Sequence, residues 1–380
     1  MTAGILPTLA LPVLAPRDAA DQTNGPLLTD FSLEEMQGWV VGRGWPAFRA
    51  RQLWGALYRR LETQAEGLHE LPWALRHEVA GTARLSGLVV QDRQADREAG
   101  TEKVLFRLRD GATIETVLMR YERAGSPPRA TVCVSTQAGC PLACAFCATG
   151  KMGWARDLSA GEVVEQVLYF ERALRAEGRR VTNVVFMGMG EPLLPYDTTL
   201  TAIRTLGHSQ GLNLGARHIT VSTAGVAPGI LRLAEEGLQI GLAISLHGPD
   251  DHTRGAIMPI NKRYPVAAVL DAVRAYIART HRRVTFEYIM IAGVNDSPQQ
   301  AAALAELVRG LLCHVNLIPL NPVAGVALQR STPHDSAVFH DVLLRAGVPV
   351  TVRDTKGGAI RAACGQLQTE ARRQRRDAQS

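Results

Sequence analysis

The 380-residue sequence predicts an α/β fold. It reads as a partial (βα)6 barrel with a small N-terminal helical domain and a short β-hairpin extension. Three observations carry this reading. Between residues 131 and 320, six short runs rich in β-formers alternate with helix-length stretches, the pattern of parallel strands joined by right-handed crossovers. Residues 28–85 repeat apolar side chains at helical spacing instead. Residues 86–130 hold two β-rich runs around Arg109-Asp110-Gly111, which read as a hairpin turn.

Taken in order, residues 1–27 are apolar but interrupted by prolines and lack a basic leader, so a loose tail is expected there rather than a signal peptide. In 28–85, Ser32 and Glu35 form a capping box. Phe48, Leu53, Trp54, Leu57, Tyr58 and Leu61 then recur at helical spacing. The arginines between them (Arg43, Arg49, Arg51, Arg59 and Arg60) make a solvated basic face or an RNA-contacting one. The 86–130 extension ends in a Gly/Pro-containing linker over 123–129. The barrel, 131–355, draws its strands from 131–136, 181–187, 218–223, 240–246, 284–291 and 314–320, with a short seventh at 349–353. A second capping box, Ser159 with Glu162, opens its first helix. Residues 356–380 form a C-terminal segment with a basic tail.

Composition narrows the class. No apolar run reaches the roughly 18–20 residues of a membrane span. Six cysteines without a secretory leader argue against a disulfide scaffold and for a reducing cytoplasm. The net charge of +6 is carried almost wholly by arginine, which suits a nucleic-acid partner without proving one.

The sharpest local signal is CPLACAFCATG. Cys140, Cys144 and Cys147 stand at C-x3-C-x2-C spacing, just after the first strand of the series. Barrel active sites are built at the carboxyl ends of strands, so the cluster sits where chemistry is expected. Thiolates select zinc, copper(I) or iron–sulfur clusters. A closed zinc site takes four protein ligands, whereas three thiolates on a [4Fe–4S] cube leave one iron open. A zinc site completed from a distance stays open as an alternative at this point.

With Phe146 before its last cysteine, this motif resembles the signature of the radical S-adenosylmethionine (SAM) superfamily. The resemblance implies a [4Fe–4S] cluster whose open iron chelates SAM and whose electron generates a 5′-deoxyadenosyl radical. Gly188, Gly190 and Glu191 in FMGMGEPLL resemble the superfamily's Gly-Gly-Glu element, which holds the methionine amino group. Ser222, Ser245, His247 and Asn321 follow successive strands and would ring the same rim with hydrogen-bonding groups.

A narrower resemblance covers nearly the whole chain. The segments IETV, CVSTQAGC, GMGEP, STAG, ISLH, INKRYP, VNLIPLNP and AACGQL are similar to the RlmN branch, radical methyltransferases that act on C2 of adenine in RNA. That carbon is electron-poor and does not attack a methyl sulfonium. The resemblance implies that Cys364 takes a methyl from one SAM and that a second SAM activates it, two per turnover. Cys133 then releases the product by forming a disulfide with Cys364. Glu115 matches the family's proton acceptor; whether Glu115 or Cys133 removes the C2 proton stays open, and an ordinary outward strand position is the alternative for Glu115. Implied partners are 23S rRNA, transfer RNA and an electron-donor protein such as flavodoxin or ferredoxin, with no membrane. The adenine-C8 branch and a radical enzyme that only abstracts hydrogen are the rivals.

Overall fold

A computed structural model describes residues 25–353, except 123, 124, 322, 324 and 325. Ten strands form one sheet. In chain order, β1 (Val89–Asp96), β2 (Thr101–Arg107), β3 (Thr113–Tyr121) and β4 (Arg129–Cys133) pair antiparallel. β5 (Gln137–Gly139) and β6 (Trp154–Asp157) leave the sheet as a separate hairpin. From β4 the pairing turns parallel, through β7 (Asn183–Phe186), β8 (Ile219–Thr223), β9 (Gly241–Ser245), β10 (Val284–Met290), β11 (Cys313–Pro319) and β12 (Val350–Val352). The six expected parallel strands and the short seventh are therefore present. No ladder closes β12 onto β1 among the described residues, so the barrel is partial.

Helices α1 (Leu33–Val41), α2 (Phe48–Gly55) and α3 (Trp73–Thr82) make the N-terminal module, and a π-helical turn over Ala56–Arg60 extends α2. The short α4 (Ala148–Lys151) ends the cysteine loop. α5 (Ala160–Ala176), α6 (Tyr196–Gly207), α7 (Ala227–Glu235), α8 (Asp251–Ile257), α9 (Val266–Thr280), α10 (Pro298–Leu307) and α11 (Pro333–Arg345) are the barrel helices. Both expected capping boxes form, at Ser32/Glu35 and Ser159/Glu162. No helix of the described residues is long and apolar enough to cross a membrane.

Two details differ from the sequence reading. The extension has three strands, because Val89–Asp96 adds β1 outside the expected hairpin. Its side chains are polar on both faces, so the alternation that marks a half-buried strand is missing. The helical module is fastened to the barrel. Glu165 of α5 is buried and accepts hydrogen bonds from Thr29 Oγ1 (2.7 Å), Ser86 Oγ (2.9 Å) and Gly87 N (2.7 Å). Asp30 Oδ1 accepts from Gly161 N at 2.7 Å, at the start of the same helix.

Candidate active site

Strand register decides which side chains share a face. Cys133 pairs with Val185, and Val185 with Thr220; Ser222 pairs with Ala243. Ser245 pairs with Glu287, and Glu287 with Asn316. Alternate residues point to opposite sides of a sheet, so Cys133, Ser222, Ser245, Glu287 and Asn316 face the same way. Glu115 joins them, two residues from Val117, the partner of Cys133. The opposite face carries Val132, Val184, Val221, Leu242, Ile244, Phe286 and Val315, all buried in the main core. The polar side is the inside of the barrel.

The cysteine loop hangs from the β5–β6 hairpin at the carboxyl end of β4. Gly139 has φ +89°, and a Cβ there would fall 2.0 Å from the Gly153 carbonyl oxygen, so only glycine fits. Cys140 N donates to that oxygen at 2.9 Å. Ala145 N donates to Ile257 O of α8 at 2.9 Å, and Cys147 N to Cys144 O at 3.1 Å. Cys144 packs against Ile257, Met258 and Ile289 in a small second core. Burial pushes the Cys140 thiol up to about 12 and the Cys144 thiol higher still, with Cys147 and Glu191 adding electrostatic repulsion to each. Metal binding at this loop therefore displaces protons.

Among the described residues, no three His, Cys, Asp or Glu side chains stand close enough together to hold a single metal ion. Three cysteines on one loop, with no fourth ligand beside them among the described residues, fit a cube that spreads its thiolates over separate irons better than a closed zinc tetrahedron.

Glu191 departs from simple expectation. Its carboxylate is buried and already accepts from Leu193 N (3.0 Å, Oε1) and Ala224 N (2.7 Å, Oε2). Gln137 Oε1 accepts from Glu191 N at 2.8 Å. Burial pushes its carboxyl up to about 7, against the pull of these hydrogen bonds. Glu191 thus braces the β7 and β8 loops against each other. The turn beside it approaches closely: a Cβ on Gly190 (φ +104°) would meet the Gln137 side chain at 2.7 Å.

Glu115 is buried, which overturns its reading as an outward strand residue. Its strand alternates as expected, but the face that looked free is the inside of the barrel. Its carboxylate lies 4.0 Å from Lys103 Nζ, itself buried. Ser135 Oγ donates to Glu115 O (2.6 Å) and accepts from Met189 N (2.9 Å). Gln166 of α5, fully buried, holds Ser135 in place. Its Oε1 accepts from Ser135 N (2.8 Å) and Thr116 Oγ1 (2.7 Å), and its Nε2 donates to Ser135 O (2.9 Å) and Glu162 O (3.1 Å). Sequence reasoning missed Gln166 and Ser135. The available signal was a glutamine amid Val163, Val164 and Val167 on the apolar side of a helix.

Burial pushes the Cys133 thiol up to about 11, although Arg353 pulls the other way. His247 has φ +59° and is buried. Its Nδ1 accepts from Ile289 N at 3.1 Å, leaving the proton on Nε2, and Phe146 meets its ring edge-on with centroids 4.9 Å apart. Burial pulls its pKa down to about 3, so the ring is neutral. Ser222 and Ser245 are half-buried near the ends of β8 and β9, and Asn321 follows β11. Cys364 lies outside the described residues. Cys313 is a buried β11 residue, as an isolated small hydrophobe would be. In the N-terminal module, four expected RNA-facing arginines also have partners within the chain. Arg43 stacks on Trp39, Arg49 bonds Gln52, Arg59 bonds Gln210 O, and Arg60 pairs with Glu70 at 2.5 Å.

Comparison with known proteins gives the family. Residues 134–305 match the radical SAM superfamily. A protein of Chloroflexus aurantiacus named as a probable dual-specificity RNA methyltransferase RlmN is 50% identical, over 90% of this chain and 92% of its own. A ribosomal RNA large subunit methyltransferase N of Nitrosopumilus maritimus is 45% identical, over 89% and 97%. The crystal structure of a radical SAM methyltransferase from Sphaerobacter thermophilus superposes with a TM-score of 0.86 at 46% identity, over 90% of this chain and 98% of that one.

Proposed function

The chain belongs to the RlmN family of radical SAM RNA methyltransferases, and from that premise we propose that it methylates C2 of an adenosine in the peptidyl-transferase region of 23S rRNA and of an adenosine in the anticodon loop of certain tRNAs. The observation that carries the reading is the pairing, at the carboxyl end of β4, of a three-thiolate loop with a separate thiol, Cys133, on the inside of the barrel. A radical enzyme that only abstracts hydrogen has no use for the second thiol.

The family brings a [4Fe–4S] cluster and SAM. Cys140, Cys144 and Cys147 would hold the cluster, which when bound supplies the electron that splits the sulfonium. The Gly188–Gly190 turn, Glu191, Ser222, Ser245, His247 and Asn321 would orient SAM. His247 is neutral and offers Nε2–H as a donor. Cys364 carries the methyl as a thioether. Cys133 keeps its proton on Sγ at rest: a thiol near 11 is thiolate only about once in 10⁴ molecules at pH 7. To close the disulfide it must lose that proton, and the adenine C2 proton must also leave; Glu115, on the same face and two residues from the register partner of Cys133, and Cys133 itself are the candidate acceptors for the C2 proton.

The test is the position of the methyl. Reconstituted, reduced enzyme is incubated anaerobically with SAM, an electron-donor protein and either a 23S rRNA fragment or tRNA, and the digested RNA is mapped by mass spectrometry. 2-Methyladenosine is expected. 8-Methyladenosine, or 5′-deoxyadenosine without methylated RNA, would replace the reading with one of its rivals.

A further inference from the structure

Arg254 of α8 is fully buried, yet all its hydrogen-bond partners are neutral. Nη2 donates to Ala224 O (2.5 Å); Nη1 donates to Asn261 Oδ1 (2.5 Å) and Tyr264 O (3.0 Å). Nε has no partner among the described residues. A buried guanidinium hydrogen-bonded only to neutral groups is costly, and removing a charge from water is offset only when opposite charge compensates it.

Its surroundings say where that charge belongs. α8 ends at Ile257, whose carbonyl receives Ala145 N from the middle of the cysteine loop. Cys144 packs on Ile257 and Met258. The Ala224 peptide joins two charges, its N–H on Glu191 and its C=O on Arg254. Burial pulls Arg254 down to about 10, and the attraction of a Cys144 thiolate and, less, of Asp251 opposes that. Arg254 thus stands behind the loop that carries three thiolates, on a helix hydrogen-bonded to it.

We propose that Arg254 is a positioning residue that braces the cysteine loop through α8 and Ala224 and supplies the buried positive charge against which the cluster is reduced. This rests on the reading that Cys140, Cys144 and Cys147 hold a [4Fe–4S] cube. An oxidised cube on three thiolates is already anionic, and the incoming electron adds negative charge. Reduction potentials of such clusters follow net local charge. A fixed cation nearby makes the reduced state easier to reach.

The experiment is an anaerobic redox titration of the reconstituted full chain, followed by electron paramagnetic resonance without SAM. Iron and sulfide are assayed in parallel. Arg254→Gln keeps a donor but removes the charge. Asn261→Asp keeps the acceptor for Nη1 and neutralises Arg254 where it stands. Both should shift the midpoint potential to more negative values, while Arg254→Lys stays near wild type. If Arg254→Gln fails to assemble, Asn261→Asp still decides. Wild-type potentials in the neutralised variants overturn the proposal, as does an equal shift in Arg254→Lys. Wild-type protein without iron and sulfide would instead overturn the cofactor reading itself, and this inference with it.

Discussion

Gln166→Leu tests the frame of the site. The side chain is close in volume, so packing changes little, but four buried hydrogen bonds disappear. Each is worth about 1 kcal/mol net, and buried groups left without a partner cost about 1–3 kcal/mol apiece. Glu162 O belongs to a helix and keeps company there. Thr116 Oγ1, Ser135 N and Ser135 O do not. Three groups left unpaired therefore set the expected loss at about 3–9 kcal/mol, measured as a drop in unfolding free energy of the cluster-free protein in urea, with reductant and without oxygen. Thr116→Val alone should cost about 1 kcal/mol. The double variant should lose less than the sum of the two, because the pair shares a bond. A loss below 1 kcal/mol for Gln166→Leu, or strict additivity with Thr116→Val, would refute the claim that Gln166 fastens β3 and the β4 loop to α5.

Cys364→Ala should abolish methyl loading and turnover while leaving the cluster's visible absorption intact; normal methylation by that variant would end the thiol-relay reading. Cys133→Ala should accumulate a covalent protein–RNA species on denaturing gels, and normal product without such a species would count against its resolving role. For His247, the folded pKa lies below the unfolded value of about 6.5, so its contribution to stability is complete above pH 6.5 and falls as pH drops toward 3. Between pH 7.5 and 5.5 the wild type should lose about 1.4 kcal/mol that His247→Gln does not lose, read from paired denaturation curves. RNA affinity should fall with added salt if the module's arginines meet phosphates, and a flat salt dependence would remove them from the interface.

The parallel strands were legible because burial on the helix side demands long apolar runs, as in IGLAISL and VTFEYIMI. The cysteine loop was legible because its spacing is chemistry, independent of packing. Other parts left no such trace. β1 is polar on both faces. β5 and β6 are too short for a period, and their register depends on two left-handed glycines, Gly139 and Gly153. Glu115 looked like an ordinary strand residue because sequence alternation cannot tell solvent from the inside of a barrel. Arg254 reads as a surface arginine in DHTRGAI; only the fold turns it inward. For Glu191 the motif was legible, but its hydrogen bonds from Leu193 N and Ala224 N, which tie the β7 and β8 loops, depend on the fold.

The triple clasp on Glu165 has a consequence for how this enzyme chooses among RNAs. Two separate stretches of chain, at Thr29 and at Ser86–Gly87, converge on one carboxylate of the first barrel helix. The N-terminal arginines and the mouth of the barrel are thereby held at one span, like the jaws of a gauge. Under the function proposed above, an RNA held by the first would have to bring its adenine to the second at that distance, and a ribosomal hairpin and an anticodon stem would qualify by common dimensions rather than by common sequence.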